Sequence, residues 1–318
     1  MKLITQHIPE AIKVLNNNGI VAIPTETVYG LAGNIYSEKA IKSIFEIKQR
    51  PFFNPLIVHI SSLQKLADVA INIPEMAYKL ASVFWPGPLT LVLNKHPNVP
   101  LLITGGKNTV AVRMPNHPIT LTLLNQLDFP LAAPSANLFG QLSPTCAAHV
   151  LAGFKTNVPL ILDGGVCQSG VESTIIGFEN GKPIIYRLGA IAIEDIENVV
   201  GKIGTSTHNN TEPNAPGMLS KHYAPHTKLI VTDSINDIIS NYSNLKIGLL
   251  LFTNKMAYDL PYQEILSKKG NLAEAASNLY AALHRLDNLG LDIIIAEKLP
   301  NKGLGNTIND RLDRGTKQ

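Results

Sequence analysis

Apolar positions over the first 200 residues recur in two alternating rhythms. Ala11, Ile12, Val14 and Leu15 fall at helical spacing over 8–18, with Pro9 near the start and Gly19 as the stop. IVAIP (20–24) is a short continuous apolar run and predicts a buried strand. SEKAIKSIFEIK (37–48) predicts a second helix, with Ser37 as N-cap and Ala40, Ile41, Ile44, Phe45 and Ile47 inward. PLIVHI (55–60) predicts the next strand, and helical patterns follow near 62–71 and 75–84. Further strands are predicted at LTLVL (89–93), TVAVRM (109–114), PLILD (159–163), STIIGF (173–178) and PIIYRL (183–188). Strands alternating with helices predict an α/β domain around a largely buried mixed sheet.

The rhythm stops at 203–227, a polar stretch holding Pro213, Pro216 and Pro225, which predicts a linker or a long functional loop. It resumes with strand patterns at KLIVT (228–232), KIGLLLF (246–252) and LDIIIAEKL (291–299). Between the last two, Leu272, Ala276, Leu279, Leu283 and Leu286 mark a long helix. The expected organisation is a domain over 1–202, a linker over 203–227 and a small α/β domain over 228–318.

The chain has 318 residues, which suits two domains that each bury a core. Its net charge of +3 is spread evenly, with 14 basic and 13 acidic residues over 1–200 and 13 and 11 over 201–318. No basic arm or stripe exists, which argues against a non-specific nucleic-acid binder but leaves room for a local basic cleft. Cys146 and Cys167 form no CxxC and have no His at ligand spacing, so neither a disulfide scaffold nor structural zinc is expected. The N-terminus carries polar residues throughout, and no apolar run approaches the ~20 residues of a membrane span. A soluble cytoplasmic protein is the expectation.

The common nucleotide and hydrolase signatures are absent. GGKNT (105–109) has the wrong spacing for a phosphate loop, and GLGNTI (303–308) does not complete GxGxxG. Four other clusters place hydroxyls, amides and cations at strand ends, where α/β folds present ligands: PTETVYGL (24–31), KQRPFFNPLIVH (48–59), APSANLFGQLSPT (133–145), and GVESTII with YRLG (170–176, 186–189). Each has an ordinary structural explanation as well. Lys48 and Arg50 could complement a helix dipole, Ser135 and Asn137 are common turn residues, and His59 could be a core histidine. Arg113 inside an apolar strand needs a partner, either a bound carboxylate or a structural acid. HYAPH (222–226) spaces two histidines by four, but Pro225 breaks a regular helical metal pair. The residues alone reach an α/β enzyme with an anionic substrate.

At these clusters the chain resembles the YrdC-type threonylcarbamoyl-AMP synthases in their two-domain form. The resemblance spans essentially the whole sequence and rests on PTETVYGL, KxRPxxNPLIVH, WPGPLTLVL (85–93), AVRMP (111–115), PSAN with SPT, GVEST and RLG. PGMLSKHYAP (216–225) matches the linker and GLGNTINDRLDR (303–314) the C-terminal segment of that form. Gln49 departs from the pattern, where many relatives carry Gly.

The resemblance implies a YrdC-like twisted mixed open sheet plus a small Rossmann-like domain. It implies condensation of L-threonine, bicarbonate or CO2, and ATP to threonylcarbamoyl-adenylate and pyrophosphate, the product passing to a separate tRNA-modifying transferase. By the same resemblance Thr27, His59, Arg113, Ala133 (through its backbone) and Ser173 hold threonine. Arg50, Asn54, Thr109, Ser135, Ser143, Arg187 and Tyr223 hold ATP, with Lys48 and Asn137 completing the phosphate-facing pairs of which Arg50 and Ser135 are part, and Lys48, Arg50, Ser135 and Asn137 are the implied catalytic residues. Mg2+ is expected with ATP and no dedicated protein ligand for it is identified. Tyr223 makes the linker a lid. The alternatives are a carbamoyl-adenylate former of the hydrogenase-maturation kind, opposed by two isolated cysteines, and an RNA-binding module, opposed by the even charge.

Overall fold

In a computed structural model, residues 3–207, 215–218, 222–257 and 260–317 are described. The first sheet is built from β1 (Ile4–Thr5), β2 (Val21–Ile23), β3 (Gly30–Asn34), β4 (Ile57–His59), β5 (Leu89–Asn94), β6 (Thr109–Arg113), β7 (Leu131–Ala132), β8 (Ile161–Leu162), β9 (Thr174–Glu179), β10 (Lys182–Arg187) and β11 (Gly204–Thr205). Its order is β1-β8-β2-β3-β7-β4-β6-β5-β9-β10-β11, with parallel and antiparallel neighbours mixed. The second sheet holds β12 (Lys228–Thr232), β13 (Ile247–Leu251), β14 (Gln263–Ile265) and β15 (Ile293–Glu297), all parallel in the order β12-β15-β13-β14.

Both sheets bury two faces, which is why their strands read as continuous apolar runs. In β2, Ala22 packs with Leu31 and Val58, while Val21 and Ile23 pack with Leu15 and Leu160 on the other side. In β15, Ile294 and Ala296 face the long helix Leu272–Asp287, and Ile293 and Ile295 face Ile235 and Leu249. That helix is capped by Asn271, whose Oδ1 accepts from the amides of Ala273 and Glu274. The helix Glu38–Lys48 is capped by Ser37, whose Oγ accepts from the Ala40 amide at 3.2 Å.

Several elements differ from the sequence reading. Gly30–Asn34, which begins within PTETVYGL and runs beyond it, is a strand for which no pattern was predicted. Its residues are small because the helix Glu38–Lys48 lies on it, and a Cβ at Gly33 would meet Ala40 and Ile44 at 3.1–3.2 Å. The pattern near 62–71 closes as a 3-10 helix, Leu63–Asp68. Gly204–Thr205 pairs with β10, so the polar stretch begins as a short strand. Residues 208–214 and 219–221 of the linker lie outside the described residues. GLGNTINDRLDR is the helix Leu304–Gly315, with Ile308 and Leu312 inward. Among the described residues, no helix is long and apolar enough to cross a membrane.

Candidate active site

Five neighbouring strands, β4-β6-β5-β9-β10, form the floor of the site. Register sets His59, Arg113 and Thr90 side by side in one row across three of them. The next residue on the same face of each strand, Ile57, Ala111 and Val92, joins Ile175 and Tyr186 in an apolar patch. The linker residues Ala215 and Met218 are packed on that patch and fully buried. A β-bulge between Ile185 and Arg187 lets Tyr186 and Arg187 both meet the site face.

Over this floor lies an open cavity whose empty space, its solvent-facing part included, is about 570 Å³. Thr27, His59, Arg113, Ala133 and Ser173, the threonine set implied by the resemblance, all line it. So do Arg50, Ser135, Arg187 and Tyr223 of the ATP set. Asn54, Thr109, Ser143, Lys48 and Asn137 do not reach the lining.

The strand cation Arg113 is paired by a structural acid: its Nη2 lies 2.7 Å from Glu26 Oε1, with both side chains buried. Its Nη1 donates to Thr27 Oγ1 at 2.8 Å. His59 Nδ1 sits 3.2 Å from the Ile57 carbonyl. Burial, and then the charge of Arg113, pushes its pKa down to about 3, so the imidazole is neutral at pH 7. Ala133 donates its amide to the Ile57 carbonyl at 3.0 Å.

Arg50 follows the helix that ends at Lys48. Its Nη2 donates to Asn54 Oδ1 and the Pro55 carbonyl, both at 2.7 Å, and its Nε to the Asn54 carbonyl at 3.2 Å. Asn54 therefore orients Arg50 from behind. Lys48 Nζ donates to the carbonyls of Ser135 at 2.6 Å and Asn137 at 2.5 Å, fastening the PSAN loop to the helix. Asn137 closes its own turn by donating to the Leu138 and Gln141 carbonyls. Thr109 begins β6, on the same face as Arg113 but at the far end of the strand.

Arg187 is held by the GVEST turn. Its Nε and Nη2 donate to the Ser173 carbonyl at 3.1 and 2.8 Å, Nη2 also to Ser173 Oγ at 3.0 Å, and Nη1 to the Pro216 carbonyl at 3.3 Å. Ser143 donates to Glu172 Oε1 at 2.6 Å. Tyr223, in the left-handed region with φ 66° and almost wholly buried, has the guanidiniums of Arg311 at 4.4 Å and Arg314 at 4.8 Å from its ring centroid.

Three guanidiniums, Arg50, Arg113 and Arg187, thus face one cavity whose lining holds a single carboxylate, Glu172. Burial, and then repulsion from Arg187, lowers Arg50 to about 9. Burial likewise lowers Arg187. Burial and Arg50 together bring Lys48 well below its usual range. Such a concentration of buried positive charge suits a polyanion, which removes the repulsion on binding. The described residues contain no cluster of His, Cys, Asp or Glu able to hold a metal ion.

Sequence reasoning gave no role to Glu26, Glu172 or Arg311, and weighed His222 only as half of a metal pair that Pro225 breaks. The signal available for the two acids was a lone carboxylate in an otherwise apolar or hydroxyl-rich motif.

Comparisons with known proteins identify the family. The family described as telomere recombination (Sua5, YciO, YrdC) matches residues 13–189. The family described as threonylcarbamoyl-AMP synthase, C-terminal domain, matches residues 191–316. A threonylcarbamoyl-AMP synthase of Pyrococcus abyssi is 43% identical over 314 residues, covering 93% of this chain and 90% of the relative. One of Bacillus subtilis is 40% identical over 316 residues, covering 96% and 91%. The crystal structure of P. abyssi Sua5 complexed with L-threonine superposes with a TM-score of 0.91 at 41% identity, covering 97% of this chain and 94% of that one. The chain belongs to the two-domain threonylcarbamoyl-AMP synthase family.

Proposed function

We propose that the chain is a threonylcarbamoyl-AMP synthase, a nucleotidyltransferase that condenses L-threonine, bicarbonate or CO2, and ATP. The observation that carries this reading is the convergence of Thr27, His59, Arg113, Ala133 and Ser173 with Arg50, Ser135 and Arg187 on one cavity. Relatives of that name, and a relative's complex with L-threonine, support it.

The chemistry has two steps. The lone pair of the threonine amine forms an N–C bond to CO2 and the nitrogen releases a proton, giving a carbamate. A carbamate oxygen then bonds to the α-phosphorus of ATP as the bond to the β-phosphate oxygen breaks, releasing pyrophosphate. Arg113 suits the threonine carboxylate, and neutral His59 adds polarity without further charge. Arg50 and Arg187 suit the phosphates, with Ser135 as a neutral partner. Asn54 acts by orienting Arg50, Lys48 by fastening the loop of Ser135 and Asn137, and Ser143 through Glu172. Thr109 keeps its place in the ATP set on the resemblance alone. Tyr223 and the packed residues Ala215 and Met218 make the linker a cover that excludes water from the short-lived carbamate. Catalysis is positioning and electrostatics.

Mg2+ would be carried by ATP itself and would neutralise phosphate charge, since the one carboxylate lining the cavity is engaged by Ser143, Tyr280 and Arg311. The product passes to a separate tRNA-modifying transferase, and the protein works in the cytoplasm. The test is pyrophosphate release from ATP and bicarbonate with and without L-threonine. Release that requires threonine supports the reading; release indifferent to it sinks the reading.

A further inference from the structure

Thr90, the second residue of β5, stands in the row that holds His59 and Arg113, yet no step of the chemistry above uses it. Its side chain is fully buried and stops behind the cavity wall. Thr90 Oγ1 meets Ser173 Oγ at 2.7 Å, across 83 positions of the chain. Ser173 itself lines the cavity. The same Ser173 oxygen accepts from Arg187 Nη2 at 3.0 Å.

The inventory of protons and lone pairs fixes the direction of the short bond. A hydroxyl has one proton to give and two lone pairs to fill. Arg187 can only donate, so it fills one lone pair of Ser173. Among the described residues, Ser173 Oγ is the one hydrogen-bond partner of Thr90 Oγ1. If Ser173 donated to Thr90, the Thr90 proton would be buried with no acceptor, and an orphaned buried donor is costly. Thr90 therefore donates and fills the second lone pair. Ser173 keeps its own proton and has no lone pair vacant, and the open side of its hydroxyl is the cavity.

A hydroxyl in that state donates to a ligand and cannot accept from one. It suits an oxygen of bound threonine and offers nothing to an ammonium group, which only donates. We propose that Thr90 is a positioning residue for the amino-acid substrate: by donating to Ser173 it holds that hydroxyl as a dedicated donor to an acceptor oxygen of L-threonine. Arg187, from the nucleotide side, supplies the other half of the constraint. Packing within β5 alone would be served by valine, which is branched at the same atom and has no hydroxyl. The inference rests on the function proposed above.

The test is the Kd of L-threonine, read by calorimetry on the full chain, for Thr90→Val, Thr90→Ser, Ser173→Ala and the double variant of Thr90→Val with Ser173→Ala. Ser173→Ala loses the donor and should raise Kd by roughly tenfold. Thr90→Val vacates a lone pair on Ser173 and lets its hydroxyl rotate, which should raise Kd by roughly three- to tenfold. Thr90→Ser keeps the hydroxyl and should stay within about twofold of wild type. In the double variant no Ser173 hydroxyl remains for Thr90 to act on, so its Kd should match that of Ser173→Ala. A residue that only packed the strand would behave differently: its factor would multiply with that of Ser173→Ala, and serine would not rescue it. If Thr90→Val does not fold in a thermal melt, Thr90→Ala, alone and with Ser173→Ala, carries the same comparison. A wild-type Kd in Thr90→Val, no recovery in Thr90→Ser, or a double variant weakened by the full product of the two factors would overturn the proposal. Failure of the wild type to bind L-threonine would overturn the functional reading instead.

Discussion

Arg113 and Glu26 form an ion pair at 2.7 Å within a site where both side chains are about 95% buried. Neither charge has enough other partners to stand alone, since Arg113 otherwise donates only to Thr27. Removing one member leaves the other uncompensated in a low-dielectric environment, which costs about 3–5 kcal/mol. Glu26→Gln is therefore expected to lower the denaturant midpoint substantially at pH 7, and Arg113→Met by a comparable amount. The two should differ in ligand response: L-threonine should still raise the melting temperature of Glu26→Gln but not of Arg113→Met. A threonine-induced shift in both variants would refute the role of Arg113 in carboxylate binding.

Arg50 presents the opposite balance. It satisfies the carbonyls of Asn54 and Pro55, but burial, and then repulsion from Arg187 across the cavity, lowers its proton affinity to about 9. Arg50→Ala frees two carbonyls and relieves that repulsion, so the fold should survive with a melting temperature within several degrees of wild type. Pyrophosphate release should fall by about 10²–10³-fold, as for loss of a charged transition-state donor. Near-normal turnover in a folded variant would remove Arg50 from the phosphate site.

The sheets and long helices were legible because their burial is two-sided and periodic, as in β2 and in Leu272–Asp287. β3 was not, because GLAGN carries no alternation; its small residues answer to the helix packed on Gly33, a tertiary demand. β7 and β11 are two residues long, too short for any period. Arg113 was legible as a cation out of place in an apolar strand, but Glu26 as its partner depends on a turn whose path the sequence does not show. The same holds for Arg311 and Glu172, which are 139 positions apart and on different domains. The threonine and ATP residues were reached through motif resemblance, not through local chemistry.

His149 and His284 stack across the domain boundary with ring centroids 4.0 Å apart. Burial, then His284 and Arg285, lowers His149 to about 4. Burial also lowers His284, against an opposing pull from the Ser143 carbonyl and Asp287, with His226 adding repulsion. Both rings are depressed below 6.5, so the folded state favours their neutral forms. Their contribution is intact above about pH 6.5 and is lost as pH falls toward 4. His59, lowered to about 3 in the interior, adds to the slope over the same window and below it. Urea unfolding at pH 7.0, 5.5 and 4.5 should show stability falling with pH, and His149→Gln should flatten that fall. Parallel curves for the two proteins would exclude the stacked pair as a source.

Gln49 sits at the end of the helix Glu38–Lys48 with φ 53° and ψ 38°, in the left-handed region. Its amide donates back to Glu46 at 3.0 Å, the geometry of a helix terminus that glycine adopts without strain. Gln49→Gly should therefore stabilise the folded chain by about 0.5–1 kcal/mol, the left-handed strain relieved exceeding the entropy added to the unfolded chain. Denaturant midpoints check the sign. A lower midpoint in the variant would mean that the Gln49 side chain makes a contact worth more than the strain.

Gly189 closes the RLG turn against the GVEST turn, and here the requirement is space. A Cβ would lie 2.3 Å from the backbone C of Ser173 and N of Thr174, and 2.5 Å from the Glu172 carbonyl. No side chain can rotate away from such a clash, because all three atoms are backbone. Gly189→Ala must push apart the two segments that carry Arg187 and Glu172, and it should destabilise by about 3 kcal/mol or more. The displacement moves Ser173, of the threonine set, and loosens its carbonyl from Arg187, of the ATP set, so ATP and threonine binding should both weaken in whatever folded protein remains. Thermal shifts induced by each ligand measure the two losses. An undiminished shift from either ligand would mean that the turns part without moving the residues that hold it.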